Sequence, residues 1–90
     1  MDKIEVGKIE EHPVLYLPEK DLLYCKKMIF PYGVLKEALI ESTLERIEIK
    51  EDFIITKKGN SIQLACLTTS ISNIKLINKN IKKYKKWKED

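Results

Sequence analysis

The sequence is poor in arginine and histidine. Arg46 is its only arginine and His12 its only histidine, so lysine supplies almost all of the positive charge. Arginine is the side chain that usually reads guanine edges through paired hydrogen bonds, whereas lysine meets phosphate as a point charge. The composition therefore argues against sequence-specific recognition of DNA.

Glycine and proline are also scarce, with three of each in 90 residues. Gly7, Gly33 and Gly59 stand alone, so the chain lacks the glycine-rich loops that cradle phosphate groups in nucleotide-binding proteins. So few flexible or turn-forming residues predict a compact fold with tight connections.

The two cysteines, Cys25 and Cys66, do not form a metal-binding pattern. They lie 41 residues apart in apolar stretches, and neither belongs to a C-x₂-C pair. Such cysteines behave as small hydrophobic residues, which predicts buried thiols rather than a disulfide. His12 stands beside Pro13 in a predicted turn, with no nucleophile near it in sequence. We therefore expect no catalytic site, no metal, no cofactor and no small-molecule substrate.

Long hydrophobic runs are missing. No apolar stretch approaches the ~20 residues that a helix needs to span a bilayer. The first five residues begin with alternating charges, at Asp2, Lys3 and Glu5, and do not resemble the apolar part of a signal peptide. We therefore expect a cytoplasmic protein without a membrane span.

The sequence does have enough apolar residues to fold. Hydrophobic residues make up 43% of the chain and charged residues 34%, which is too apolar for a disordered chain. The length predicts a single compact domain covering residues 1–90. Charge is unevenly placed, because residues 1–69 carry a net charge of −2 and residues 70–90 a net charge of +5.

Alternating apolar residues predict several short β-strands. In the first half they fall near Ile4–Val6, at 14–17 and at 22–25, where the strand continues or is followed by a further strand at 28–30. In the second half they fall at 47–49, at 53–56 and around 62–66. Pro18 marks the turn before the strand at 22–25. Gly59 and Asn60 supply the turn chemistry of a hairpin between the strands at 53–56 and 62–66.

Two segments have helical periodicity. One covers about 33–43, just after Pro31, and the other covers about 70–87, after the N-cap candidates Thr68 to Ser70. Together with the strands they predict an α+β fold, in which a small, mostly antiparallel sheet of about four or five strands carries two helices. A faint echo between "DLLYCKK" at 21–27 and "DFIITKK" at 52–58 suggests two ββα units.

The predicted core combines one face of each strand with one face of each helix. Its members are Leu15, Leu17, Leu23, Leu35, Leu39, Ile47, Ile49, Ile55, Ile62, Leu64, Ile74, Ile77 and Ile81.

The C-terminal helix carries the candidate binding site. At 100° per residue, its isoleucines and Tyr84 share one face, and lysines share roughly the opposite face. The candidate partner-binding residues, for a protein or for nucleic acid, are Lys75, Lys79, Lys82, Lys83, Lys86 and Trp87. A lysine face that only meets solvent is the simpler interpretation. The alternatives are contact with nucleic acid, with an acidic protein or with an anionic membrane surface.

For function, the sequence favours a small non-catalytic module that binds another protein, as a regulator or inhibitor would, or that associates with itself as a homodimer. The basis is an aromatic set that exceeds what the predicted core needs, since Tyr and Trp often anchor interfaces. Its members are Tyr16, Tyr24, Phe30, Tyr32 and Trp87. The alternative is a nucleic-acid-associated protein that uses the lysine-rich helix for phosphate contacts without sequence preference.

Overall fold

The computed structural model describes residues 3–40, 46–49, 53–64 and 67–89. The first half contains β1 (Ile4–Ile9), β2 (His12–Leu17), β3 (Leu22–Cys25), β4 (Met28–Pro31) and α1 (Tyr32–Ile40). The second half contains β5 (Arg46–Ile49), β6 (Phe53–Lys58), β7 (Ser61–Leu64), β8 (Leu67–Ser70) and α2 (Ile71–Glu89). The predicted α+β class with two helices is confirmed.

The strands form two antiparallel meanders rather than one sheet of four or five strands. The first sheet has the order β1-β2-β3-β4 and the second the order β5-β6-β7-β8. Strand β8 was not predicted, because its polar residues Thr68, Thr69 and Ser70 were interpreted only as caps. Ser70 serves both purposes, since it ends β8 and its hydroxyl accepts a hydrogen bond from the Asn73 amide at 3.1 Å.

Each half repeats the same plan of four strands and one helix. The first residue of each helix donates its amide hydrogen to a carbonyl in the turn before the third strand. Tyr32 donates to Asp21 at 3.0 Å, and Ile71 donates to Asn60 at 2.8 Å. The donor and the acceptor of the second pair each lie 39 residues after those of the first pair. At the same offset, β3 of the first half corresponds to β7 of the second half. The echo at an offset of 31 is therefore a false alignment, because it compares β3 with β6.

One core joins the two halves. Of the predicted members, Leu23, Leu35, Ile62, Leu64, Ile74, Ile77 and Ile81 are buried and Leu39 packs against them. The side chains of Ile47, Ile49 and Ile55 lie outside the described part. Leu15 and Leu17 were assigned to the wrong face of β2, because Val14 and Tyr16 are the buried residues of that strand. Successive strand residues point to opposite faces, so a shift of one residue exchanges the two sets.

Strand β2 also begins earlier than predicted. His12 is its first residue and Pro13 lies inside it, so His12 belongs to a strand rather than to a turn. The His12 carbonyl accepts a weak hydrogen bond from the buried Cys25 thiol at 3.8 Å. Cys25 thus has the buried position predicted for it, and Cys66 lies outside the described residues.

Helix α2 fastens the second half to the edge of the first sheet. Its Asn73 and Asn80 side chains donate to the carbonyls of Lys8 at 2.7 Å and Val6 at 2.8 Å. An edge strand such as β1 otherwise presents a row of unpaired backbone groups to solvent. These two asparagines fix the position of α2 relative to β1.

The turn between β1 and β2 makes a second connection between the halves. A carboxylate oxygen of Glu10 accepts a hydrogen bond from the backbone amide of Thr68 in β8 at 2.5 Å. Glu10 and Glu11 both have positive φ, at 50° and 71°, as the tight two-residue loop requires. Within the described ranges, neither helix is long and apolar enough to cross a bilayer.

Candidate functional site

Helix α2 has a buried face and a lysine face, as its periodicity predicts. Ile74, Ile77 and Ile81 are buried, and Tyr84 packs against the same core. We use the name lysine surface for the opposite side, which consists of Lys75, Lys79, Lys82, Lys83 and Lys86. All five side chains are exposed. With Asn78 they line a shallow, open depression of about 340 Å³.

The lysine surface has no negative charge to balance it among the described residues. No acidic residue occurs anywhere between Phe53 and Lys88. In the part of the chain that the structure describes, none of the five lysines forms an ion pair. Lys85 is different, since its ammonium lies 3.3 Å from an Asp21 carboxylate oxygen. Among the described side chains, the fold thus pairs Lys85 with an acid and forms no ion pair to the lysine surface.

Positions three and four residues apart are neighbours on a helix, so the lysine surface repels itself. Lys79, for example, has three lysines at such spacings: Lys75, Lys82 and Lys83. Each like-charge pair destabilises a helix by about 0.2–0.5 kcal/mol, so Lys79 costs the fold roughly 1 kcal/mol at low salt. The negative end of the helix dipole offsets this repulsion only within the last turn, near Lys86.

Aromatic contacts around Lys85 hold the C-terminal half of α2 in place. The Lys85 ammonium lies 4.6 Å from the centre of the Tyr32 ring and 5.8 Å from that of Tyr16. The Tyr16 ring in turn makes edge-to-face contacts with Tyr32 at 5.9 Å and with Tyr84 at 6.5 Å. The Tyr32 hydroxyl donates a hydrogen bond to the side-chain oxygen of Asn78. These contacts set the direction in which the lysine surface points.

Asp21 is the acidic centre of this cluster. It accepts a hydrogen bond from the Tyr16 hydroxyl and pairs with Lys85. Partial burial pushes the pKa of Asp21 upward. The hydrogen bonds from Tyr16 and Lys85, together with the positive charges of Lys85 and Lys36, outweigh this effect, and the pKa of Asp21 therefore lies below its usual range. Burial, followed by the bond to Asp21, raises the pKa of Tyr16 well above its usual range.

The aromatic set is mostly structural. Tyr16, Phe30 and Tyr32 are buried in the core, so they are not spare interface anchors. Tyr24 is the member that remains on the surface, at 38% exposure. Trp87 belongs to α2, but its side chain lies outside the described part, so its predicted place beside the lysine surface stays a prediction. Among the described side chains of this set, Tyr24 is therefore the one exposed enough to anchor an interface.

Tyr24 lies in an exposed apolar face of the first sheet. Strand pairing aligns Leu15, Tyr24 and Ile29 in one row across β2, β3 and β4, and aligns Leu17, Leu22 and Pro31 in the next row. We use the name outer apolar face for these six residues, which all point away from the core. Ile29 is 60% exposed, and the three leucines are half-buried. Large apolar side chains side by side on a surface are typical of binding sites.

The second sheet presents a different surface at the corresponding place. Thr56, Gln63 and Thr68 form the row that corresponds to Leu15, Tyr24 and Ile29. All three are exposed and polar. The repeat therefore presents an apolar row on one sheet and a polar row at the same place on the other, so the outer apolar face is not a requirement of the fold.

Sequence reasoning missed the outer apolar face because it placed Leu15 and Leu17 in the core. A signal was present, since every residue from Val14 to Leu17 is apolar or aromatic. A strand with only one buried face alternates between apolar and polar residues. An uninterrupted run therefore indicates a strand that has something to bury on both faces.

Comparisons with protein-family models, with curated proteins and with solved structures found no match. Within the described ranges, no three His, Cys, Asp or Glu side chains come together in a way that suits a metal ion. The two surfaces above are thus the features from which a function is argued.

Proposed function

We propose that this protein is a small non-catalytic binding module that docks onto an uncharged, apolar surface of another protein through its outer apolar face. A regulator or inhibitor acts in this way. The observation that carries the proposal is the contrast between the row Leu15, Tyr24 and Ile29 and its polar counterpart in the second sheet. The same backbone position is apolar and exposed in only one of the two sheets.

The chemistry of the face selects the kind of partner. Its six side chains carry no charge, and Glu5, which pairs with Leu15, is the charged residue that continues the row onto β1. Phosphates and other polyanions find no complementary group there, whereas the apolar surface of a protein does. Tyr24 adds a large, rigid anchor of the kind that dominates interface energies.

Burial of the outer apolar face in a complex contributes favourably to the free energy of binding. Fully burying a leucine, isoleucine or similar side chain contributes about 1.5–3 kcal/mol. Ile29, which is 60% exposed, has more of that gain still available than Tyr24, which is 38% exposed. A sheet face of this kind packs against another sheet at a spacing of about 10 Å.

The second sheet itself supplies the test variant. Replacing Leu15 by Thr, Tyr24 by Gln and Ile29 by Thr gives the first sheet the row that the second sheet already carries. We expect this triple variant to fold and to lose a partner that co-purifies with the wild type from the source cells. The matched control changes Gln63 to Ala and Thr68 to Ala, and it should retain the partner.

Self-association, which the sequence also predicts, is one outcome of this test. If the partner is a second copy, sedimentation velocity shows a wild-type dimer and a monomeric triple variant. The proposal fails if the triple variant, folded by circular dichroism, keeps every partner of the wild type in the same amounts and the wild type is monomeric.

A further inference from the structure

The lysine surface is a second binding site, separate from the outer apolar face: we propose that it holds the phosphates of a nucleic-acid duplex without reading the base sequence. The five lysines are exposed on one side of a helix whose other side is fixed in the core. Surfaces of this kind gain affinity by releasing the counterions that surround the nucleic acid.

Charge complementarity identifies the ligand as a polyanion. The segment from Phe53 to Lys88 contains no acidic residue, whereas solvated helix surfaces commonly mix both signs. Lys85 shows that the fold pairs a lysine of α2 with an acid where it has one in reach. The helix dipole accounts for lysines in the last turn only, so Lys75 and Lys79, which lie in earlier turns, need another explanation.

The dimensions of the surface fit a duplex. From Lys75 to Lys86 the helix rises by about 16 Å, at about 1.5 Å per residue. The major groove of DNA is about 12 Å wide, so lysines at the two ends of the surface reach phosphates on both of its edges. Among the described residues the depression is lined by lysines and Asn78, whereas proteins that bind single strands place aromatic side chains where bases can stack.

Two other polyanionic partners fit less well. A helix that lies on an anionic membrane inserts an apolar face into it, but the apolar face of α2 is buried in the core. An acidic protein is the other partner, yet protein interfaces are depleted in lysine and enriched in arginine and aromatic residues. Lysine without arginine suits phosphate contacts that carry no sequence information.

Fluorescence anisotropy with short DNA duplexes of two unrelated sequences tests the proposal. With about four phosphate contacts, we expect the affinity to fall roughly 150-fold between 50 and 200 mM salt, and to differ little between the two sequences. A single strand of the same length and vesicles that contain phosphatidylserine are the comparison ligands. Stronger binding to either of them than to the duplex overturns the proposal.

A neutralised variant separates this site from general attraction by charge. Replacing Lys79, Lys82 and Lys83 by Gln preserves helix propensity and removes three positive charges. The matched control replaces the exposed lysines Lys20, Lys26 and Lys27 by Gln, which removes the same charge from the first half. We expect the first variant to reduce the slope of log K against log salt from about −3.6 to about −1, and the control to leave it nearly unchanged. Equal effects of the two variants, or no effect of the first, contradict the proposal.

Discussion

The Ile77 side chain of α2 lies directly against the backbone of Gly7 in β1. A Cβ atom built on Gly7 would approach the Ile77 Cγ1 atom to 2.6 Å. This close approach brings the helix of the second half onto the edge strand of the first sheet. Because the lysine surface is on the other side of the same helix, the contact also determines how that surface is presented.

Gly7→Ala should therefore destabilise the protein. The added methyl group has no room beside Ile77, and overpacking of this kind costs about 1–3 kcal/mol. Urea unfolding of the variant measures the loss in free energy of unfolding. Gly33→Ala is the matched control, since a Cβ at Gly33 meets nothing within 4 Å, and in α1 the change should stabilise by about 0.5–1 kcal/mol.

A double variant tests whether Ile77 is the cause. Ile77→Ala alone leaves a cavity and should cost about 2–5 kcal/mol. When Gly7→Ala is combined with Ile77→Ala, the methyl group added at position 7 has room, so the total loss should be smaller than the sum of the two single losses. Strict additivity would show that Gly7 is required for a reason other than the contact with Ile77.

Lysines of α2 should differ in the sign of their effect on stability. Lys79→Gln removes repulsion from three neighbouring lysines and should raise the free energy of unfolding by about 0.5–1.5 kcal/mol at low salt. Lys85→Gln removes the contacts with Asp21, Tyr32 and Tyr16 and should lower it. Salt screens exposed charges, so the gain of Lys79→Gln should shrink in 1 M salt. A gain that is unchanged by salt would exclude repulsion as its source.

The Asp21 cluster should make stability depend on acid pH. Because the pKa of Asp21 is lowered in the fold, its contribution is complete above about pH 4 and is lost as the pH falls below that value. Asp21 also has a positive φ of 54°, which asparagine tolerates, so Asp21→Asn changes the charge and keeps the backbone. At neutral pH this variant should lose about 1 kcal/mol, because the pair is largely exposed.

Urea unfolding at pH 7 and at pH 2.5 measures this dependence. The difference between the wild type and Asp21→Asn should be clear at pH 7 and smaller at pH 2.5, which lies below the ordinary pKa of an aspartate. The raised pKa of Tyr16 affects stability only at alkaline pH. The stabilisation that comes from the protonated Tyr16 hydroxyl is complete up to about pH 10 and is lost above it. A difference that persists unchanged at pH 2.5 would refute the role given to the Asp21 charge.

The turn between β1 and β2 stores strain that a single change should release. Glu11 has a φ of 71°, a conformation that costs a residue with a side chain about 1–2 kcal/mol and costs glycine little. Glu11→Gly should therefore raise the melting temperature. Glu10→Gly is the contrasting variant, because it also removes the carboxylate that accepts a hydrogen bond from Thr68. A melting temperature that falls equally in both variants would contradict this account of the turn.

The helices and the fold class followed from the sequence because periodicity is a local property. Ile74, Ile77 and Ile81 share a face whatever lies beneath them, and the structure buries all three. Ser70 was among the predicted caps for the same reason, since an N-cap is recognised within a few residues. The lysine surface was predictable as a set of positions on a helix.

The orientation of β2 and the division into two sheets did not follow, because both depend on distant contacts. Val14 to Leu17 are all apolar or aromatic, so alternation could not show which side meets the core. The buried side is decided by residues far away in the sequence, such as Tyr84 against Tyr16. Strand β8 was hidden for a similar reason, since Thr68 and Ser70 point outward and give no hydrophobic pattern.

Site-specific cross-linking tests the central claim, that the outer apolar face is the docking surface, most directly. A photo-activated cross-linking residue is placed at position 29 in one variant and at the corresponding position 68 of the second sheet in another. In cells of the source, the account predicts a discrete cross-linked protein partner from position 29 and none from position 68. Equal cross-linking from both positions, or none from position 29 while the protein is folded, would contradict it.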